Sequence, residues 1–397
     1  MLTANKIKYP AWPYIADDEI EAVSAVLRSG KINYWTGDQG RLFESKFAEY
    51  IGCKHAIALA NGTLALELAL KAIKIQAGDE VIVPSKTFIA TASAVVACQA
   101  MPVIADVNLA TQNITAENIL PLISSRTKAI IVVHMGGLAC DMDPILALAK
   151  QYNLKVIEDC AQAHGALYKQ RLVGSIGNVS AFSFCQDKIM TTGGEGGMLL
   201  TNDSEIWQRA WEYKDHGKDY FAVHDASLHK TPGFKWLHNS FGSNYRLSEI
   251  QSAIGLLQLN KLPHWLKLRR RNAEFLLRKL RDIPGLKVLE PGADYWHAYY
   301  KFYFHLDLNK LHKSWSKTKI LAALGEMAIP CLEGTCSEIY REQAFVQSGL
   351  GPQQPLPNAQ ALTATSLLLP VHSTLELEHL HSMVEGLQAV MQQATTA

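Results

Sequence analysis

From about residue 55 to residue 205 the chain alternates two kinds of segment. One kind is short and apolar: Glu80-Val-Ile-Val83, Pro102-Val-Ile-Ala105, Lys128-Ala-Ile-Ile-Val-Val133, Leu154-Lys-Val-Ile157, Val179-Ser-Ala-Phe-Ser-Phe184 and Gly197-Met-Leu-Leu-Thr201. The other has helical period, as in Leu64-Ala-Leu-Glu-Leu-Ala-Leu-Lys-Ala72 and Pro144-Ile-Leu-Ala-Leu-Ala-Lys150. A strand buried on both faces reads as a continuous apolar run, whereas a half-buried helix repeats every three or four residues. Their alternation predicts an α/β fold with a mostly parallel sheet between helices.

Upstream, Asp17 to Leu27 predicts an amphipathic helix with Ile20, Val23 and Leu27 on one face, closed by Gly30. Downstream, Ser248 to Leu259 predicts a second helix that ends near Pro263, and Trp265 to Leu280 a separate basic helix carrying Arg269-Arg-Arg271. Beyond Pro284, the run Tyr299-Tyr-Lys-Phe-Tyr-Phe304 followed by helical segments predicts a smaller α+β domain. The expected division is a large domain over 1–260, including the N-terminal helical segment, and a small C-terminal domain over 261–397.

With 397 residues the chain is too long for one simple core, which agrees with that division. A net charge of +1 gives no electrostatic footprint for nucleic acid or an anionic membrane, so any bound phosphate must be met by a local site. Seven scattered cysteines, with only Cys331-Leu-Glu-Gly-Thr-Cys336 closely spaced, fit reduced thiols rather than a zinc site. Met1 to Lys6 lacks an apolar signal core and no apolar run reaches the ~20 residues of a membrane helix, so the expectation is a cytoplasmic protein.

The richest segment is Phe182-Ser-Phe-Cys-Gln-Asp-Lys188-Ile-Met-Thr-Thr-Gly-Gly-Glu-Gly-Gly197. Here a lysine leaves a strand and enters a loop whose last five residues hold four glycines, which allow positive φ and close approach to a ligand. A lysine amine held in such a place can condense with an aldehyde. The run Leu154-Lys-Val-Ile-Glu-Asp159-Cys-Ala-Gln162-Ala-His164 places acids at the carboxyl end of a parallel strand, where ligands bind in such sheets. Pyridoxal 5'-phosphate (PLP) needs both groups: an amine for its aldehyde and a carboxylate, here Asp159, to keep its ring nitrogen protonated. Asn61-Gly62-Thr63 opens a helix and can take a phosphate on backbone N–H groups and a hydroxyl, with Ser183 as a further hydroxyl. Phe88, just past a strand end, can stack on a planar ring.

In this order and with Gly78-Asp-Glu-Val-Ile-Val-Pro-Ser, Gly193-Gly-Glu-Gly-Gly and Gly242-Ser-Asn244-Tyr-Arg246-Leu-Ser-Glu-Ile-Gln251, the chain resembles the DegT/DnrJ sugar aminotransferases, within the fold type I PLP enzymes. The resemblance implies that Lys188 holds PLP and shuttles the proton, Asp159 pairs with the pyridine nitrogen, and Gln162 lies beside the ring. It implies that Phe88 stacks on the ring, that Gly62, Thr63 and Ser183 hold the phosphate, and that Asn244 completes the phosphate site of a neighbouring subunit. A homodimer with shared sites follows, as does a cycle in which L-glutamate leaves as 2-oxoglutarate and the cofactor passes through pyridoxamine 5'-phosphate.

The acceptor implied is a nucleotide-linked keto sugar, with a UDP-linked 4-keto-6-deoxy hexose carrying a 2-acetamido group favoured. The product would be a 4-amino sugar for bacterial surface polysaccharide. Amination at C3 and a dTDP-linked sugar are the alternatives. Relatives that act as dehydratases carry histidine in place of the lysine, and Lys188 argues against that branch. PLP-binding regulators usually add a DNA-binding module, and no basic helix-turn-helix segment stands out. Tyr34-Trp35-Thr36-Gly37 and Glu333 to Tyr340 are expected near the sugar and nucleotide, with His297, Tyr299 and Tyr300 as possible helpers.

Overall fold

The computed structural model describes residues 7–224, 237–334, 336 and 338–395. Met1 to Lys6, on which the expectation of no signal core rests, lie outside the described residues.

The seven strands of the main sheet are β1 (His55–Leu59), β2 (Glu80–Pro84), β3 (Met101–Ala105), β4 (Thr127–Val133), β5 (Lys155–Asp159), β6 (Val179–Ser183) and β7 (Gly197–Thr201). Their spatial order is β1-β7-β6-β5-β4-β2-β3, with β7 antiparallel to both neighbours and the others parallel. Successive residues of one strand feed different cores: in β4, Ile130 and Val132 pack on one face, Ala129 and Ile131 on the other. This two-sided burial is why the strands read as unbroken apolar runs. β1 escaped the sequence reading because His-Ala-Ile-Ala-Leu carries little apolar bulk.

A second sheet of four antiparallel strands lies in the C-terminal part, with Phe302–Leu306 and Ser366–Leu369 at its centre, and has a core of its own. This is the expected smaller α+β unit. Among the described residues no helix is long and apolar enough to cross a membrane.

Two expectations are corrected. A single helix runs from Glu249 to Leu280 with Pro263 inside it, and it crosses residues 260 and 261 without a break. An interior proline costs ~3 kcal/mol, but here the helix buries Leu259, Leu262, Trp265 and Leu266 around that point, and packing outweighs the loss. Helix α1 (Asp17–Ser29) ends at Gly30 as expected, with φ of 67°. Its buried face, however, carries Glu19 and Val26, while Ile20 and Leu27 are 56% and 55% exposed. Lys261 of the long helix fixes that rotation by pairing with Asp18 at 2.7 Å and Glu19 at 3.2 Å.

The long helix also organises helix α2 (Gln39–Ile51). Glu249 accepts from the N–H groups of Gln39 at 2.6 Å and Gly40 at 3.0 Å, capping that helix from across the chain. A Cβ at Gly37 would stand 2.1 Å from the Glu249 carboxylate, which accounts for the glycine.

Four histidines are held neutral by burial. His164, His297 and His372 are pushed down to about 3 and His305 to about 4, from an ordinary 6.5. As pH falls, the unfolded chain takes up these protons first, so stability is complete above about 6.5 and lost below it. The loss approaches ~1.4 kcal/mol per pH unit for each such histidine. A urea midpoint that drops steeply between about pH 7 and about pH 5 is expected; a flat midpoint would show that these side chains reach water.

Candidate active site

The parallel strands end on one side of the sheet, and there the chain encloses a cavity of about 670 Å³. Its wall takes Thr87, Phe88 and Thr91 from beyond β2, Val133 from β4, Asp159 and Gln162 from β5 and its turn, and Ser183, Cys185, Asp187 and Lys188 from the end of β6 and the turn after it. Gly62 and Thr63 close it from helix α3 (Gly62–Ala72), which follows β1.

Lys188 sits in a turn closed by its own N–H to the carbonyl of Cys185 at 3.0 Å, while Trp12 Nε1 donates to the Lys188 carbonyl at 2.9 Å. Its Nζ stands 3.9 Å from Asp187 Oδ1 and 4.9 Å from the centre of the Tyr300 ring. Asp159 is buried at the end of β5, with Oδ1 accepting from Ala161 N–H at 3.1 Å and Oδ2 from the Thr91 hydroxyl at 2.9 Å. Burial pushes its carboxyl above the usual range, and those two donors, Lys188 and His134 oppose the rise.

The corner formed by Gly62, Thr63 and Ser183 follows from one close approach. A Cβ at Gly62 would lie 2.6 Å from Ser183 Cβ, so only glycine lets the helix start meet β6 there. Asn61 caps that helix by accepting from Leu64 N–H at 2.9 Å. Free N–H groups of the first turn and two hydroxyls thus converge, which is the chemistry of an anion site. Gln162 is oriented by Gly136 N–H, which donates to its Oε1 at 2.8 Å. Phe88 reaches the cavity but is 65% exposed, so much of its ring is uncovered in the single chain.

Asn244 is not part of this wall. It is exposed, and its segment is bound to Asp215 through a backbone bridge and an ion pair from Arg246 to Asp215 Oδ1 at 2.8 Å. Nor do Tyr34 to Gly37 reach the cavity: Tyr34 is buried, with Lys214 Nζ 3.8 Å from its ring centre. From the segment Glu333 to Tyr340 only Cys336 lines it, and Thr335 and Ser337 lie outside the described residues. Of the aromatic trio, only Tyr300 enters the wall, while His297 stacks on Tyr299 at 3.9 Å around a separate hollow.

Sequence reasoning missed Thr87, Thr91, Asp187 and Glu195, all in the wall. Tyr300 donates its hydroxyl to Asp187 from the C-terminal side of the molecule, a pairing with no local signal. Glu158 was overlooked too. It accepts from His134 Nε2 at 3.0 Å and from the N–H groups of Gly174, Ile176 and Gly177 at 2.8, 2.7 and 2.6 Å. Burial raises its carboxyl, but these donors win and hold it below the usual range. Cys160 lies close to both, and His134 Nδ1 accepts from Cys140 N–H at 3.0 Å, so the histidine and Glu158 are committed to internal bonds.

A mostly parallel sheet, a lysine in a turn at the carboxyl ends of its strands, a buried acid and a glycine-made anion corner define a fold type I PLP enzyme. The chain belongs to the DegT/DnrJ/EryC1/StrS aminotransferase family, which it matches over residues 13–388. It is 44% identical over 260 residues, 65% of this chain and 66% of the relative, to GDP-perosamine synthase of Caulobacter vibrioides. It is 34% identical over 366 residues, 92% of each chain, to UDP-N-acetyl-3-dehydro-alpha-D-glucosamine 3-aminotransferase of Acidithiobacillus ferrooxidans. The X-ray structure of the aminotransferase from Psychrobacter cryohalolentis is similar with a TM-score of 0.95 and 47% identity, covering 98% of this chain and 100% of that one. The protein is a PLP-dependent sugar aminotransferase of this family.

Glu158 offers a test of how the site is supported. Glu158→Gln would turn an N–H group toward donors that have no other acceptor, at a cost of about 3 kcal/mol or more. A thermal midpoint unchanged from wild type would refute that account.

Proposed function

We propose that the protein moves the amino group of L-glutamate onto C4 of a UDP-linked 4-keto-6-deoxy hexose, with a 2-acetamido group, to give a 4-amino sugar for bacterial surface polysaccharide. The observation that carries the transaminase chemistry is that Lys188, Asp159 and the Gly62–Thr63–Ser183 corner face one cavity of about 670 Å³. These residues fit PLP: an amine for the aldehyde, a carboxylate for the ring nitrogen, and an anion corner in which Gly62 approaches Ser183 too closely for any Cβ. When bound, the cofactor supplies an electron sink for the substrate carbanion.

In this reading the chain's own residues do the rest. Lys188 Nζ anchors the cofactor, then carries the proton between substrate carbon and cofactor. Asp159 holds the charge opposite the ring nitrogen. Gln162, fixed by Gly136, orients the ring edge. Phe88 covers one ring face, while Gly62, Thr63 and Ser183 bind the phosphate. Asn244 completes the phosphate site of a second copy, which makes the enzyme a homodimer with shared sites. Support for that copy comes from the exposure of Asn244, Phe88, Ile20 and Leu27 in the single chain.

The relative named for 3-amination of a UDP-linked sugar favours one alternative, amination at C3. A dTDP-linked acceptor is the other. The dehydratase branch is disfavoured by Lys188 itself.

The purified protein should show a visible absorption band that bleaches when L-glutamate is added. The amine-loaded protein should then regain the band with a UDP-linked 4-keto sugar and not with dTDP- or 3-keto analogues. Lys188→Ala should lose both the band and turnover, and retained turnover would sink the assignment. Asn244→Ala should weaken cofactor affinity, and an unchanged affinity would count against the shared site.

A further inference from the structure

We infer that Thr91 is a positioning residue that holds Asp159 oriented and ionised, with Thr87 behind it as the second member of a directed hydroxyl relay. The inference rests on Asp159 serving the cofactor's ring nitrogen. All three groups are buried in the cavity wall, with Thr87 and Thr91 only 2% and 1% exposed.

The direction of the relay follows from hydrogen count. Thr91 Oγ1 lies 2.9 Å from Asp159 Oδ2 and 2.8 Å from Thr87 Oγ1. A hydroxyl carries one hydrogen, and an ionised carboxylate has none to give. The Thr91 hydrogen therefore goes to Asp159, and Thr87 must donate to Thr91. Each O–H dipole then points toward the carboxylate and stabilises its charge. Oδ1 takes Ala161 N–H at 3.1 Å, so each carboxylate oxygen has one internal donor and keeps a lone pair for another partner.

Backbone placement makes this possible. Thr91 lies in the first turn of helix α4 (Ala90–Ala97), which begins just past Phe88 and brings its hydroxyl back over the end of β5. The charged and titratable groups that act on Asp159 are Lys188, from the turn after β6, and His134, from the end of β4. Thr91 is the side-chain donor among its partners, so removing that hydroxyl leaves the burial of Asp159 opposed by one backbone N–H and these two groups.

Full-length protein loaded with PLP carries the test, with Thr91→Val, Thr91→Ser, Thr87→Val and Asp159→Asn compared with wild type. Valine keeps the shape and deletes the hydroxyl. Thr91→Val should slow bleaching by L-glutamate roughly tenfold to hundredfold, with KM for glutamate unchanged. It should also shift the pH midpoint of the visible band and weaken PLP binding. Thr91→Ser should restore rate and midpoint, and Thr87→Val should move both by a few-fold in the same direction as Thr91→Val. Wild-type rate and pH midpoint in Thr91→Val overturn the relay, as does Thr91→Ser behaving like valine. Should Thr91→Val fail to fold, a wild-type midpoint in Thr87→Val overturns it instead. If Asp159→Asn keeps full turnover, the role of Asp159 fails and the relay with it. If Asp159→Asn is impaired and Thr91→Val is not, the relay alone fails.

Discussion

Two adjacent carboxylates at the end of β5 divide the labour on which this site depends. Successive residues of a strand point to opposite faces, so Glu158 and Asp159 leave the sheet in opposite directions. Glu158 turns toward the loop at Gly174 to Gly177 and meets four donors, enough to keep a charge in a buried place. Asp159 turns toward the cavity and is given fewer donors, so part of its capacity stays open. A buried carboxylate with open lone pairs is unfavourable for the fold alone and useful to a bound cation. The same strand thus carries one acid committed to structure and one that faces the cavity, the acid proposed to serve the cofactor, and a shift of register by one residue would exchange them.

The lysine is fixed by a longer chain of contacts that begins in the Glu249–Leu280 helix. Arg269, fully buried in that helix, donates from Nη1 to the carbonyls of Tyr299 and Tyr300, both at 3.2 Å. Its guanidinium also lies 4.9 Å from the Trp12 ring centre, and Trp12 in turn holds the Lys188 carbonyl. One buried cation therefore supports both the backbone that carries Lys188 and the tyrosine that bonds its neighbour Asp187. Tyr300 is tied to the turns after β4 and β5 as well, since its N–H donates to the Gly136 carbonyl while the Gly136 N–H holds Gln162. A break in the helix at Pro263 would cut this support between Lys261, which orients α1, and Arg269.

What could be read from the sequence was whatever has a local cause. The alternation of apolar runs disclosed the sheet because burial on both faces leaves an unbroken run. Gly62 and Lys188 stood out because glycine and a strand-end lysine are unfavourable unless used. The continuity across Pro263 was hidden, since it depends on side chains far along the chain that pack on both halves of the helix. The exposed stripe of Ile20 and Leu27 misled in the same way: its period is helical, but the pairing of Lys261 with Asp18 and Glu19 turns a different face inward. Thr91 had no distinguishing spacing, and neither did the pairing of Tyr300 with Asp187. Their contacts join positions separated by 68 and 113 residues, which no period in the sequence encodes.

The exposed residues bear on why such a site would be shared between copies. The cavity is walled on one side by the sheet and by Tyr300, while the Phe88 ring at its rim is 65% exposed. Reactive carbanion chemistry needs water kept out, and an exposed aromatic at the rim cannot do that alone. Asn244 meanwhile stands exposed on a segment bridged to the buried Asp215, and it does not line its own chain's cavity. A second copy that covers Phe88 with one surface and receives Asn244 from the other would resolve both features at once. In the proposed homodimer the open rim of one chain and the exposed Asn244 of the other would be two halves of one site.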